Sequence, residues 1–111
     1  MSEKFKTIEV DSDRQVVARR IGHSEHARVL AVSGYHSGVP ERDMIYTVLL
    51  AKVSIGSGAA LGLEHQTEKH PVLGVIASDE VVDELSKGQL IEVARHALSG
   101  IAPIPEPIEK N

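Results

Sequence analysis

Apolar stretches alternate with short polar segments through the first two thirds of the chain, and most of these stretches are rich in β-branched residues. Residues 5–10 predict a strand, and the acidic and serine residues after it predict a turn. Residues 15–21 fit two interpretations, a strand that pairs back on the first or a helical turn. Buried strands are predicted at residues 28–34, 44–55 and 72–77, which are dense in Val, Ile, Leu and Ala.

A helical pattern follows at residues 78–98, where apolar side chains recur three and four residues apart. Ser78 is a suitable N-cap, and the acidic residues directly after it suit the positive end of a helix dipole. Gly88 leaves two interpretations open, one kinked helix or two short helices of which Ser86 caps the second.

Strands followed by helix predict the α+β class, with an antiparallel or mixed sheet of four to five strands and a C-terminal helix packed on one face. The domain is predicted to span residues 1–100. Residues 101–111 contain Pro103, Pro105 and Pro107, which exclude a helix or an inner strand, so an extended tail is predicted there.

The composition limits the chemistry that this chain of 111 residues can carry. It has no cysteine, which excludes disulfides, thiolate metal sites and iron–sulfur clusters. Its formal charge of −4 argues against a broad basic surface for nucleic acid or membrane, but leaves room for a local basic strip. Aromatic residues make up only 3%, so the core must be aliphatic, and oligomerisation would add to the stability of so small a unit.

One stretch, residues 44–63, has about the length of a membrane span, but Lys52 lies near its middle and glycines interrupt its second half. It is therefore predicted to be a buried strand followed by a glycine-rich loop. The first residues carry no apolar run of the kind found in a signal peptide, and the expected compartment is the cytoplasm.

Residues 62–71, Gly-Leu-Glu-His-Gln-Thr-Glu-Lys-His-Pro, hold the strongest candidates for a site. A glycine-rich stretch precedes them, and glycine lets backbone approach a ligand or another subunit closely. Imidazole is the commonest metal ligand, so His65 and His70 are predicted to bind metal, brought together across a tight hairpin. Glu64 is the candidate ligand-binding residue beside them. The alternative interpretation is a polar loop with ordinary surface histidines.

Further candidates lie at other predicted element ends. Tyr35 and His36 follow the predicted strand at residues 28–34, a position where binding residues are common, and are candidate ligand-binding residues. His23 and His26 have a spacing that places two side chains on one face of a helical turn, although a plain surface turn is the simpler interpretation.

Lys52 and Ser57 are the candidate catalytic residues, because a desolvated lysine amine acts as a base or nucleophile and Ser–Lys pairs are a known catalytic unit. The alternative for Lys52 is an edge-strand lysine, or one whose charged end reaches the surface along an apolar stem.

Several segments together resemble one known family. They are residues 28–32 (Arg-Val-Leu-Ala-Val), 43–45 (Asp-Met-Ile), 55–56 (Ile-Gly), 62–67 (Gly-Leu-Glu-His-Gln-Thr) and 72–76 (Val-Leu-Gly-Val-Ile). This set resembles the C-terminal sheet region of the HutP family, the hut operon positive regulators, over about fifty residues. The most specific part is the string at 62–67 followed by a short apolar strand.

HutP regulators bind histidine and a divalent metal and then RNA, and the histidine of this string is a metal ligand in them. The resemblance therefore implies His65 as a metal ligand, a divalent metal such as Mg²⁺, Mn²⁺ or Zn²⁺ as cofactor, and RNA as a partner.

Residues 62–66, 71–72 and 75–77 are also similar to the end of a domain in the cyanuric acid hydrolase and barbiturase family of ring-opening amidohydrolases. This likeness implies, as an alternative, a small hydrolase acting on a cyclic amide. Both families assemble small α+β units around a symmetry axis with sites between the units, so both imply a trimer or hexamer.

The preferred hypothesis is a small homo-oligomer with a ligand or metal site at a subunit interface around Glu64 and His65. An accessory or structural subunit whose partner is another protein is the third interpretation.

Overall fold

The computed structural model describes residues 4–34, 40, 43–56, 67–99 and 101. Within these residues the chain is α+β, as predicted, with four strands and four helices. Their order is β1 (Phe5–Glu9), β2 (Gln15–Arg19), α1 (His23–Ser33), α2 (Met44–Gly56), β3 (Thr67–His70), β4 (Gly74–Ala77), α3 (Asp79–Asp83) and α4 (Lys87–Leu98).

The first two strands form an antiparallel hairpin in which Phe5 pairs with Arg19. Its turn is held by Asp11, whose Oδ1 accepts hydrogen bonds from the backbone N–H groups of Asp13 and Arg14, both at 2.9 Å. This confirms the predicted first strand and turn. It also decides between the two interpretations of residues 15–21 in favour of a strand that pairs back on the first.

The strand predicted at residues 28–34 is wrong, because helix α1 occupies this stretch. The helix begins after Gly22, whose backbone N–H donates to the Glu25 side chain at 3.1 Å, and ends at Gly34, which has a left-handed φ of 75°. Only Val29 of the apolar run is buried, so a single helical face meets the core. Tertiary packing of that face outweighs the β preference of the valines.

The strand predicted at residues 44–55 is also wrong, because these residues form helix α2. Asp43 supplies a cap, since its Oδ1 accepts from the backbone N–H of Tyr46 at 3.2 Å. The helix is buried along most of its length, and a helix buried on all sides shows no alternation of apolar and polar residues. An apolar run of this length is therefore ambiguous in sequence, although 13 residues are long for a strand.

The last two strands form a second antiparallel hairpin, in which Glu68 pairs with Ile76. The strand predicted at residues 72–77 is shorter, Gly74–Ala77, and Gly74 makes the turn with a φ of 81°. The described strands make two separate two-stranded sheets and not one sheet of four to five strands. The reason is that two of the predicted strands are helices.

The C-terminal helical region consists of two short helices, which decides between the two interpretations left open by Gly88. Ser86 caps the second one: its Oγ accepts from the backbone N–H of Gln89 at 3.1 Å, and the Gln89 side chain accepts from the Ser86 N–H at 2.8 Å. Gly88 lies inside the first turn of α4 and does not break it.

Helix α2 lies at the centre, because it contributes to two clusters of buried apolar side chains. One cluster joins α2 to the first hairpin, to α3 and to Leu90 and Val93 of α4. The other joins α2 to α1, Ile76 and the last turns of α4, and Ile101 packs against it. Of the predicted tail at residues 101–111, this isoleucine alone is among the described residues.

Candidate functional site

A polar cluster formed by Lys52, Glu68 and Asp79 lies where α2, β3 and the start of α3 meet. The Lys52 side chain is only 9% exposed, and its Nζ lies 2.5 Å from Asp79 Oδ1 and 3.5 Å from Glu68 Oε2. Glu68 faces α2 because it pairs with the buried Ile76, and directly paired residues share a face of an antiparallel hairpin. The three elements thus place one cation between two carboxylates.

The charge state of Lys52 follows from these contacts. Burial lowers the pKa of its ammonium group, while the hydrogen bond to Asp79 and the negative charges of Asp79 and Glu68 raise it, and the net effect is a raised pKa. Lys52 is therefore charged at neutral pH. A general base or amine nucleophile must be neutral to act. This geometry therefore gives no support to the hydrolase that the sequence analysis named as an alternative.

The serine nearest to Lys52 in the described part of α2 has a structural role. Ser54 donates through Oγ to the Arg19 carbonyl at 2.6 Å and accepts from the Arg19 N–H at 2.7 Å, which ties α2 to the end of β2. Both hydrogen-bonding directions of the hydroxyl are thus used by one residue of β2. The candidate Ser57 lies outside the described residues.

Four other candidates, Tyr35, His36, Glu64 and His65, also lie outside the described residues. Their roles as ligand-binding and metal-binding residues stay predictions. In the sequence, His65 precedes Thr67, the first residue of β3, by two positions.

His70, the other predicted metal ligand, closes the turn of the second hairpin. Its Nδ1 accepts hydrogen bonds from the backbone N–H groups of Val72 at 3.0 Å and Leu73 at 3.1 Å. A neutral imidazole has one nitrogen lone pair, and both amides share it here. Metal coordination by a neutral His70 would therefore require the ring to release these two bonds.

Two valines of the second hairpin are open to solvent. Val75 is 55% exposed and Val72 is 48% exposed, while the neighbouring Ile76 is buried against α2. Val72 in the turn and Val75, which pairs with the exposed Lys69, thus present apolar side chains to solvent, whereas Ile76 and Ala77 at the end of β4 are buried.

The histidines predicted as a pair, His23 and His26, both lie at the start of α1. His26 Nε2 lies 2.7 Å from the hydroxyl of the fully buried Tyr46, so this ring joins α1 to α2. Burial lowers the pKa of His26, and the nearby charge of His23 adds to the effect. In the described part of the chain, no three His, Cys, Asp or Glu side chains come together as a metal site would need.

The sequence reasoning missed the partners of Lys52. The sequence analysis related the acidic residues after Ser78 only to the helix dipole, whereas Asp79, whose side chain is 78% exposed, holds the buried amine. The available signal was the lysine itself, because a charge inside an apolar run needs a partner or a route to the surface. The sequence does not indicate which of its acidic residues supplies that partner.

Comparison with known proteins found no match: no family model, no curated protein and no solved structure matches this chain. Among the described helices, none combines the length and the apolar character that crossing a membrane requires.

Proposed function

We propose that this protein is a small homo-oligomeric ligand- or metal-binding protein of the HutP type, with sites at subunit interfaces around Glu64 and His65. A divalent metal is the expected cofactor, a small molecule such as L-histidine the expected ligand, and RNA the partner that the resemblance implies. The proposed location of the protein is the cytoplasm, the compartment predicted from the sequence.

The observation that carries the proposal is the cluster of Lys52, Glu68 and Asp79. Glu68 belongs to β3, the strand that follows residues 62–66 in the sequence. Two carboxylates and an ammonium group at this place offer charged partners to a polar ligand held by the string. A buried, charged lysine also suits binding by fixed charge better than it suits proton transfer.

The two exposed valines of the second hairpin support self-association. Val72 and Val75 are each about half exposed there, and covering exposed apolar side chains with another copy of the chain is favourable at roughly 25 cal/mol per Å². A copy docked on these valines would lie next to β3. A site shared between subunits would then form around the string.

Thermal unfolding in the presence of metal tests the ligand-binding part. We expect Mn²⁺ together with L-histidine to raise the Tm, because a ligand that binds only the folded state stabilises it. His65→Ala should abolish the rise, whereas the control His23→Ala, an exposed histidine on α1, should retain it. The proposal fails if neither Mg²⁺, Mn²⁺ nor Zn²⁺ shifts the Tm, or if His65→Ala responds like the wild type.

Light scattering on the eluting chain tests the self-association part. The expected mass is three or six times the 12.0 kDa of one chain. Val75→Lys should shift the mass towards the monomer, since it replaces one of the two exposed valines with a charge, whereas Lys87→Glu on α4 should leave the mass unchanged. A wild-type monomer at micromolar concentration would contradict the interface.

A further inference from the structure

The first hairpin has backbone groups that point away from its own pair of strands. At one end of the hairpin the Arg20 N–H donates to the Lys4 carbonyl at 2.9 Å. At the other end the Val10 N–H donates to the Arg14 carbonyl at 2.9 Å. Residues that point to the partner strand alternate with residues that point away from it in an antiparallel pair. The residues of β1 that point away from β2 are therefore Phe5, Thr7 and Glu9.

The second strand confirms this alternation. Arg19 pairs with Phe5, so its N–H and C=O point away from β1. Both groups bond the Ser54 hydroxyl of α2, which accepts from the N–H at 2.7 Å and donates to the carbonyl at 2.6 Å. Helix α2 therefore closes the edge of β2 at this point, and β1 is the strand with an open edge.

The open stretch of this edge contains Phe5 and Thr7. In the described part of the chain, the backbone N–H and C=O groups of these two residues take part in no hydrogen bond. The Glu9 carbonyl accepts from Gln89 Nε2 of α4 at 2.7 Å, which marks where the open stretch ends. The side chains of Phe5 and Thr7 are exposed as well. Such an edge is a template for pairing with another strand.

Two charged groups near the edge indicate which strand fits it. The Lys4 ammonium lies 5.7 Å from the centroid of the Phe5 ring. Among the described residues, neither this ammonium nor the Glu9 carboxylate belongs to an ion pair. If β1 of a second copy pairs antiparallel about Thr7, its Glu9 lies directly opposite Phe5 and hence within reach of Lys4. Two-fold symmetry then makes the same contact twice.

The position of the two-fold axis follows from the sequence of β1. Pairing centred on Thr7 includes all five residues of the strand and sets Thr7 opposite Thr7, a favourable cross-strand pair. Pairing centred on Lys6 includes fewer residues and sets two ammonium groups opposite each other, which is destabilising. With the Thr7 centre, the two threonines exchange backbone hydrogen bonds, and the Glu9 N–H of each copy donates to the Phe5 carbonyl of the other.

We propose that β1 pairs antiparallel with β1 of a second copy about Thr7, which joins the two first hairpins into one continuous sheet. The partner is a second copy because the edge is complementary in charge to itself. This contact is separate from the one proposed at Val72 and Val75, and it does not rest on the function proposed above.

Light scattering on the full-length chain tests the pairing with Thr7→Pro. Proline is tolerated in an edge strand where its missing N–H points away from the sheet, so the hairpin should stay intact. The lost donor and the ring prevent a second strand from pairing, so the mass should fall to half that of the wild type. Thr7→Val keeps the N–H and should keep the wild-type mass. Circular dichroism checks that both variants are folded.

A charge exchange tests the register and uses only exposed positions. Lys4→Glu and Glu9→Lys should each weaken the association about tenfold, because symmetry turns two attractive contacts into two repulsive ones. The double variant restores opposite charges and should recover the wild-type mass at the same concentration. A double variant that associates no better than the single variants would overturn the proposal, whether or not Thr7→Pro folds.

The oligomeric states separate this pairing from the assembly proposed above. A wild-type mass of three chains, or a folded Thr7→Pro that keeps the wild-type mass, would overturn the pairing, and three chains would leave the function proposed above intact. A mass of two chains that Thr7→Pro lowers to one supports the pairing and contradicts the threefold assembly. Protection of the Thr7 amide from hydrogen exchange in a monomeric wild type would also overturn the pairing, because the same chain would then cover the edge.

Discussion

The ammonium group of Lys52 lies 2.5 Å from the carboxylate of Asp79 and joins the central helix α2 to the first turn of α3. The lysine stem is buried while Asp79 is largely exposed, so the pair stands at the boundary between core and solvent. Its strength is therefore limited by water on the aspartate side. The pair fixes the lysine as a cation next to β3.

This pair predicts a loss of stability at alkaline pH. The folded-state pKa of Lys52 is raised above its ordinary value of 10.5, so its contribution is complete below about pH 10 and disappears as the pH rises through the folded-state pKa. The free energy of unfolding, measured by urea denaturation, should therefore fall from pH 10 upward more steeply in the wild type than in Lys52→Met. Lys69→Met, an exposed lysine on β3, serves as the control and should follow the wild type. Equal slopes in wild type and Lys52→Met would contradict the assignment.

The lowered pKa of His26 predicts that the free energy of unfolding depends on pH in the mildly acidic range. Burial holds its folded-state pKa below the ordinary 6.5, so the unfolded chain binds more protons between the two values and stability falls as the pH decreases through this window. His26→Gln should flatten this part of the stability curve. Tyr46→Phe should lower stability by about 1 kcal/mol but keep the slope, since burial and not the tyrosine hydroxyl lowers the pKa. A slope that survives in His26→Gln would show that another group causes it.

The close packing at Gly56 predicts that adding a single methyl group there destabilises the fold strongly. A Cβ at this position would overlap the backbone of Ile76 and Ala77, where the end of α2 packs directly on β4. Gly56→Ala should therefore lower the free energy of unfolding by about 1–3 kcal/mol, as overpacking does. Gly88→Ala is the matched control: its Cβ would meet nothing closer than the Ser86 hydroxyl at 4.0 Å, so it should stabilise α4 by up to about 1 kcal/mol. Equal effects of the two substitutions would contradict this packing.

Two substitutions of His70 distinguish its structural role in the turn from its predicted role as a metal ligand. His70→Ala removes the acceptor for two backbone N–H groups and should cost about 1 kcal/mol. Asn offers a side-chain oxygen at a position similar to that of Nδ1, so His70→Asn should recover most of the loss in urea denaturation. If His70 also binds metal, His70→Asn should restore stability but not the metal-induced rise in Tm. An Asn variant as unstable as the Ala variant would show that the turn does not depend on this acceptor.

Local signals in the sequence predict the parts of the fold that local chemistry determines. The first strand and the Asp-Ser-Asp turn were predicted, and the hairpin and the helix capped by Ser86 were each one of two interpretations that the sequence left open. Helices α1 and α2 could not be identified in this way. Helix α2 is buried on nearly all sides and therefore shows no helical periodicity, and α1 buries only Val29 of an apolar run that is typical of a strand. Asp43 was the overlooked cap.

The candidate site shows a second limit of sequence reasoning. Lys52 was identified as unusual because it is a charge in an apolar run, but its partners lie 16 and 27 residues away. Only the packing of β3 and α3 on α2 brings them together, and no local pattern contains that information.

The most direct test of the proposed function is a crystal structure of the protein soaked with Zn²⁺, with anomalous scattering recorded at the zinc edge. The account predicts an anomalous peak about 2 Å from an imidazole nitrogen of His65, with a second chain contributing to the surroundings of the ion. A peak absent from His65, or a His65 ring surrounded only by water on a single chain, would contradict it.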